Sequence, residues 1–288
     1  MKIKCPLFNL NQSLCCGQVF RWNLESDQWW YGLIRDHIVK IKQVQEEIEF
    51  FIYPEVPNPK EFISHYFRFD DNLSLIYDQI KKDQYLETAI QINSGLRLIR
   101  QDPWECMISF IISQQNQIPK IKRSLATLSQ RFGTSFNFEG KEFYAFPSPE
   151  QLINAKIEDL QKGFEQGGCA LGYRAKYVLS TAFLIYNNSL NVTLEDFKRM
   201  PYEEGNRLLQ DSFCGIGPKV ADCILLFSMD KLEAFPLDTW IRKIILNLYF
   251  KNQNVKDSKI KEFCSDYFGK FAGYAQEYLY CNRLELCQ

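Results

Sequence analysis

The stretch that most constrains this chain is residues 213–240, FCGIGPKVADCILLFSMDKLEAFPLDTW. Cys214-Gly215-Ile216-Gly217 must turn tightly, because two glycines one residue apart permit positive backbone angles and let another molecule approach the main chain closely. Pro218 suits the first turn of a following helix, where its missing N–H costs nothing. Residues 221–229 are mostly apolar without Gly or Pro, which predicts one buried helix from 218 to about 229. The free N–H groups at its start, with the positive end of its dipole, form a site for one phosphate. Lys219 stands beside that site. The dipole disfavours a cation there by roughly 0.3–1 kcal/mol, and a neutral amine is a nucleophile. Two readings of Lys219 therefore stay open, a phosphate contact and a catalytic amine. Asp238 has the placement of an N-cap for the run that begins at Thr239.

The 288 residues, 46% hydrophobic and 24% charged, suffice for one large or two ordinary domains with a buried core. No apolar run approaches the ~20 residues of a membrane span, and the polar stretch 9–13 leaves no signal-peptide core. An intracellular protein with no membrane partner is expected. Ten cysteines without a C-x-x-C pair point to reduced thiols. Past Asp238 only Cys264, Cys281 and Cys287 remain, too few for a four-cysteine iron–sulfur loop. With only His37 and His65, histidine-based metal sites and triads are disfavoured. No metal and no cofactor is expected, so an enzyme here works with lysine and carboxylates. A net charge of −1 does not point to nucleic acid. Local basic groups do occur, at Lys120/Lys122/Arg123, Arg174/Lys176 and Arg242/Lys243.

Residues 18–22, 28–34, 37–43 and 47–53 are short aromatic or β-branched runs parted by turn signals, an antiparallel meander that Pro54, Pro57 and Pro59 end. Helical spacing follows from Lys60, so helices should close over one sheet face. The predicted fold is α+β: a sheet domain, residues 1–98, and a helical domain, residues 99–288, with a helix-hairpin-helix at about 202–229. The body begins with a helix over 104–113 ending in the amide tip Gln114-Gln115-Asn116-Gln117, which Ile118-Pro119 should help to terminate. By composition that tip is a solvated turn, although amides can also fill the space left by an extruded base. Ser148-Pro149 should cap and open another helix. Residues 163–172 are glycine-rich but lack the preceding strand of a dinucleotide loop.

The hairpin with its lysine, followed 19 positions later (238 minus 219) by Pro-Leu-Asp, resembles the catalytic motif of the helix-hairpin-helix DNA glycosylases. Gly17-Gln18-Val19-Phe20-Arg21-Trp22, Arg100-Gln101-Asp102-Pro103-Trp104-Glu105-Cys106, Gly172-Tyr173-Arg174-Ala175-Lys176-Tyr177 and Tyr274-Ala275-Gln276 resemble stretches of one branch, the 8-oxoguanine DNA glycosylases/AP lyases. The pieces keep that family's order and cover nearly the whole chain.

The resemblance implies excision of a flipped-out oxidised guanine from double-stranded DNA by a monomer. Lys219 attacks the sugar and forms a Schiff base, and Asp238 stabilises the developing positive charge. The Gly17 carbonyl accepts the N7–H that 8-oxoguanine has and guanine lacks, Gln276 reads the pairing edge, and Cys223 and Tyr280 flank the base. Gln115, Asn116, Lys120, Tyr173 and Arg174 serve the opposite base and strand, with further DNA contacts at Gly215, Gly217, Val220 and Trp240. Tyr280, Trp240, Gln115 and Lys120 depart from the family's usual phenylalanine, histidine, asparagine and arginine. Lysine lacks the planar fork of arginine, so a weakened preference for cytosine opposite the lesion is expected. The alternatives are a same-fold glycosylase for an alkylated purine, and a non-catalytic DNA-binding module.

Overall fold

A computed structural model describes residues 1–286; Cys287, counted above among the possible cluster ligands, lies outside the described residues. The chain opens with β1 (Lys2–Lys4), α1 (Leu10–Cys15), β2 (Asn23–Leu24), β3 (Trp30–Ile34), β4 (His37–Val44) and β5 (Glu47–Tyr53). The strands form one antiparallel sheet in the order β1-β5-β4-β3-β2. Side chains alternate across it: Ile41 and Phe50 face each other and are fully buried, whereas the next pair, Lys42 and Glu49, forms an ion pair of 3.1 Å. The sheet core also takes in Phe8, Trp22 and Phe67, the last just after α2 (Pro59–Tyr66).

One expected strand does not form. Residues 18–22 are irregular, because their polar groups serve other partners than a neighbouring strand. The Gln18 amide donates to Ser13 O and Arg97 O (2.9 Å each) and accepts from Ile99 N (2.8 Å), while the Gln18 carbonyl accepts from Gln101 Nε2 (2.7 Å). Two short strands outside the expected runs take the sheet edges instead, β1 paired on β5 and β2 paired on β3.

Next come α3 (Leu73–Ile80), α4 (Gln84–Ile92), α5 (Pro103–Ser113), α6 (Ile118–Phe132), a hairpin of β6 (Ser135–Phe138) and β7 (Lys141–Tyr144), α7 (Pro149–Ile153), α8 (Ile157–Gln161) and α9 (Arg174–Tyr186). The chain ends through α10 (Asp196–Arg199), α11 (Tyr202–Ser212), α12 (Pro218–Ser228), α13 (Thr239–Tyr249), α14 (Asp257–Phe268), α15 (Ala272–Cys281) and α16 (Arg283–Leu286). The larger core runs through α5, α12 and α15 and reaches back to Leu73, Ile76 and Leu86. At the 98/99 junction Leu98 packs in the larger core and Ile99 in the smaller. The two units are also tied by Arg21 on Glu105 (2.9 Å) and by Arg100, which bridges Asp70 and Asp230.

Local signals resolve as chemistry demands. Ser148 and Gln151 form a reciprocal capping box with Pro149 in the first turn. Pro119 opens α6 and does not end α5, which stops at Ser113 before Gln115 takes a positive φ of 46°. Asp222, three residues after Lys219, is fully buried and accepts from Tyr202, Asn206 (2.7 Å each) and Lys261 (2.5 Å). Asp222 thus fastens α11 and α14 to α12. No helix among the described residues is long and apolar enough to cross a membrane.

Candidate active site

The hairpin divides its two glycines by function. Gly215 has φ +81°, and a Cβ there would stand 2.4 Å from the Tyr177 ring, so side-chain absence is needed for folding. Gly217 is extended (φ −95°), contrary to the expectation of a positive angle, and a Cβ on it would meet open space. It is the N-cap of α12, with no side-chain cap bond, and edges a groove of about 430 Å³ with Gln114 and residues 210–216. The Val220 side chain is buried, at 4% exposure. A contact there is confined to its N–H at the helix start, which has no intrahelical acceptor.

Lys219 projects from the first turn of α12 over the Phe110 ring, 5.1 Å from its centre. Asp238 caps α13, one oxygen accepting from Ile241 N at 2.7 Å. The cap fixes the carboxyl where α12 and α13 converge, so structural and chemical roles coincide in one residue. Both groups line a cavity of about 50 Å³ whose other walls are Gly17, Phe110, Cys223, Phe227, Pro236, Gln276, Glu277 and Tyr280. All six residues expected for nucleophile, carboxylate and lesion contacts therefore meet, although they come from the loop after α1, from α12, from the start of α13 and from α15.

Gly17 has φ +97°, and its position lies against Tyr280. Cys223 is 2% exposed; burial pushes its thiol up to about 12 against the pull of Lys219. Burial likewise pushes Tyr280 up to about 12, while Arg283 lies 4.3 Å from its ring centre. Gln276 is 4% exposed and its amide oxygen has no hydrogen-bond partner. Four lining residues escaped the sequence reading. Phe110 and Phe227 stack at 5.4 Å and floor the cavity, and Pro236 and Glu277 complete it. For Glu277 a signal existed: a lone acid within the otherwise uncharged helix AGYAQEYLYC.

The expected opposite-base residues gather separately. Gln115 and Lys120 are exposed, Asn116 is half-buried, and Tyr173 (47% exposed) stands at the start of α9. Arg174, expected beside them, turns toward the amide tip. It is buried at 6% exposure, donates to Gln114 O from Nε (2.8 Å) and Nη2 and to Gln115 O (3.1 Å), and lies over the Tyr173 ring. A further donor, Nη1, reaches Leu171 O at 3.3 Å, so the side chain ties the amide tip to the start of α9. Trp240 is 38% exposed at the start of α13. No group of three or more metal-ligating side chains gathers among the described residues.

Two family models divide the chain: "8-oxoguanine DNA glycosylase, N-terminal domain" over residues 2–107, and "HhH-GPD superfamily base excision DNA repair protein" over residues 108–270. The chain is 32% identical over 244 residues to the probable N-glycosylase/DNA lyase of Methanothermobacter thermautotrophicus, covering 79% of this chain and 76% of the relative. Its fold is similar to Clostridium acetobutylicum 8-oxoguanine glycosylase/lyase in complex with dsDNA containing cytosine opposite 8-oxoG, at TM-score 0.87 and 34% identity over 99% of this chain and 98% of that one. It is also similar to MBOgg1 in complex with a low-affinity DNA ligand, at TM-score 0.91 and 32% identity over 100% and 96%. With its sheet unit, its hairpin and the lysine and aspartate that converge beside them, the chain belongs to the 8-oxoguanine DNA glycosylase family of the helix-hairpin-helix superfamily.

Proposed function

We propose that this chain is a bifunctional DNA glycosylase/lyase that excises 8-oxoguanine from duplex DNA and nicks the strand. The observation that carries this reading is the convergence of Lys219 and Asp238 with Gly17 and Gln276 in one cavity beside an open hairpin. A base inside a duplex is out of reach, so the nucleotide is extruded while the α12 N–H groups grip a phosphate. The neutral Lys219 amine forms a bond to C1′, and the C1′–N9 bond breaks with its electron pair leaving on the purine. The Asp238 carboxylate stabilises the positive charge spread over C1′ and the ring oxygen. Ring opening yields a protonated Schiff base. Loss of a C2′ proton then expels the 3′-phosphate with the C3′–O electron pair, which is the nick.

A single chain supplies every group named, and we assign the activity to a monomer acting on DNA with an oxidised guanine. An alkylpurine glycosylase has no use for Lys219 in this cavity, and a non-catalytic module, which could use Asp238 as a helix cap, has none for a lysine that shares a cavity with it. Borohydride reduction during turnover on an 8-oxoguanine duplex should trap a covalent protein–DNA complex, and Lys219→Gln should abolish it. Base release from the native chain without any trapped species would overturn the lyase assignment.

A further inference from the structure

Of the lysine and carboxylates on the cavity wall, Glu277 is the one that the reaction above does not employ. It is 3% exposed, lines the cavity with Lys219 and Asp238, and its Oε1 has no hydrogen-bond partner. An orphaned buried acceptor costs roughly 1–3 kcal/mol, more when charged, so the fold tolerates here what a ligand could satisfy. Its neighbours fix which wall it occupies. Glu277 and Cys281 lie one turn apart on α15, and both stand close enough to the buried Cys16 thiol, which donates to Ser13 O, to push it up. Cys16 directly precedes Gly17, whose position rests against Tyr280. Glu277 therefore stands on the Gly17 side of the cavity.

We propose that Glu277 is a second reader of the oxidised edge of the base, its free carboxylate oxygen accepting the N7–H of 8-oxoguanine beside the Gly17 carbonyl. The inference rests on the lesion reading given above. Undamaged guanine presents a lone pair at N7, so the same carboxylate repels it, and a site that must donate to nothing rejects an acceptor more strongly than an apolar wall would. A charged acceptor roughly doubles the strength of such a bond. Burial pushes the Glu277 carboxyl up to about 7, with Cys16, Arg283 and Lys219 pulling it back and Asp238 adding to the rise. The carboxylate form therefore predominates at pH 8.

The test places each change on Lys219→Gln, which should hold DNA without turnover. Binding is measured at pH 8 to duplexes carrying 8-oxoguanine, guanine or 8-bromoguanine opposite cytosine, the bromo base supplying bulk at C8 without an N7–H. With Glu277 present, 8-oxoguanine should be preferred, and 8-bromoguanine should behave like guanine. Glu277→Gln should narrow the preference for 8-oxoguanine on the order of tenfold, because its amide N–H can donate to guanine N7. Glu277→Ala should weaken 8-oxoguanine and tighten guanine, because the repulsion of its N7 lone pair is lost; if it fails to fold, the isosteric glutamine variant decides. An unchanged preference in the glutamine variant overturns the role of Glu277. No preference in the Lys219→Gln parent overturns the lesion reading itself, and with it this inference.

Discussion

The lesion cavity and the opposite-base face are built on opposite plans. Cys223, Gln276 and Glu277 are core positions of α12 and α15, each at most 4% exposed, so packing holds their geometry before any ligand arrives. Gln115, Lys120 and Tyr173 are exposed, and of the three only Gln115 is held by Arg174, through its main-chain carbonyl. A change in the cavity must be accommodated by the whole core, whereas a change on the tip alters one surface contact. Chemistry sits where substitution is expensive, and partner preference sits where it is cheap.

The largest expected effect lies in the cavity. Lys219→Gln should lower excision and nicking by about 10⁴-fold or more, the scale on which enzymes lose a nucleophile, while anisotropy shows lesion DNA still bound. Residual nicking near the native rate would mean that the buried plan does not carry the chemistry.

Stability against pH sharpens the contrast. The Glu277 carboxyl is held near 7 against an ordinary 4.5, so the fold favours the protonated form. Stability is then greatest below about 4.5 and falls as pH rises through 7, by at most on the order of 3 kcal/mol. Thermal melts should show Glu277→Gln losing less stability than the parent between pH 5 and pH 8. Parallel melting curves would show that the cavity carries no such penalty. Exposed Gln115→Glu should add no comparable slope.

The hairpin offers an intermediate case. Gly215→Ala places a methyl against Tyr177 at positive φ and should cost about 1–3 kcal/mol of stability. Gly217→Ala should leave melting unchanged and weaken DNA binding, since its Cβ points into open space where a phosphate would approach. Equal melting temperatures for the two variants would erase the distinction drawn between these glycines.

The smallest effect is expected at the tip. Lys120→Arg supplies a planar pair of donors, and a good bidentate contact is worth about 1–3 kcal/mol. Single-turnover excision opposite cytosine should rise relative to the other three bases by up to about tenfold, with stability untouched. A strong cytosine preference that Lys120→Arg leaves unchanged would move the selection to Gln115 or Tyr173.

By itself the sequence determined what short-range physics controls. The Asp238 cap, the Ser148 capping box, the turn at Gly215 and strands β3 to β5 each follow from a few neighbouring residues, because rigid φ angles, unpaired helix N–H groups and a two-residue alternation act within one or two turns of chain. Family resemblance placed six lesion and catalytic residues that the structure then gathers in one cavity. Tertiary structure alone decided the rest. Residues 18–22 have the composition of a strand but spend their polar groups on Ser13, Arg97, Ile99 and Gln101. Arg174 reads as a surface cation until four hydrogen bonds to backbone carbonyls turn it inward. Asp222 and Glu277 are both buried acids on helices, yet one has three partners and the other an orphaned oxygen. That difference depends on side chains as far off as Lys261 and Cys16, and no local pattern encodes which groups a distant segment brings to a buried carboxyl.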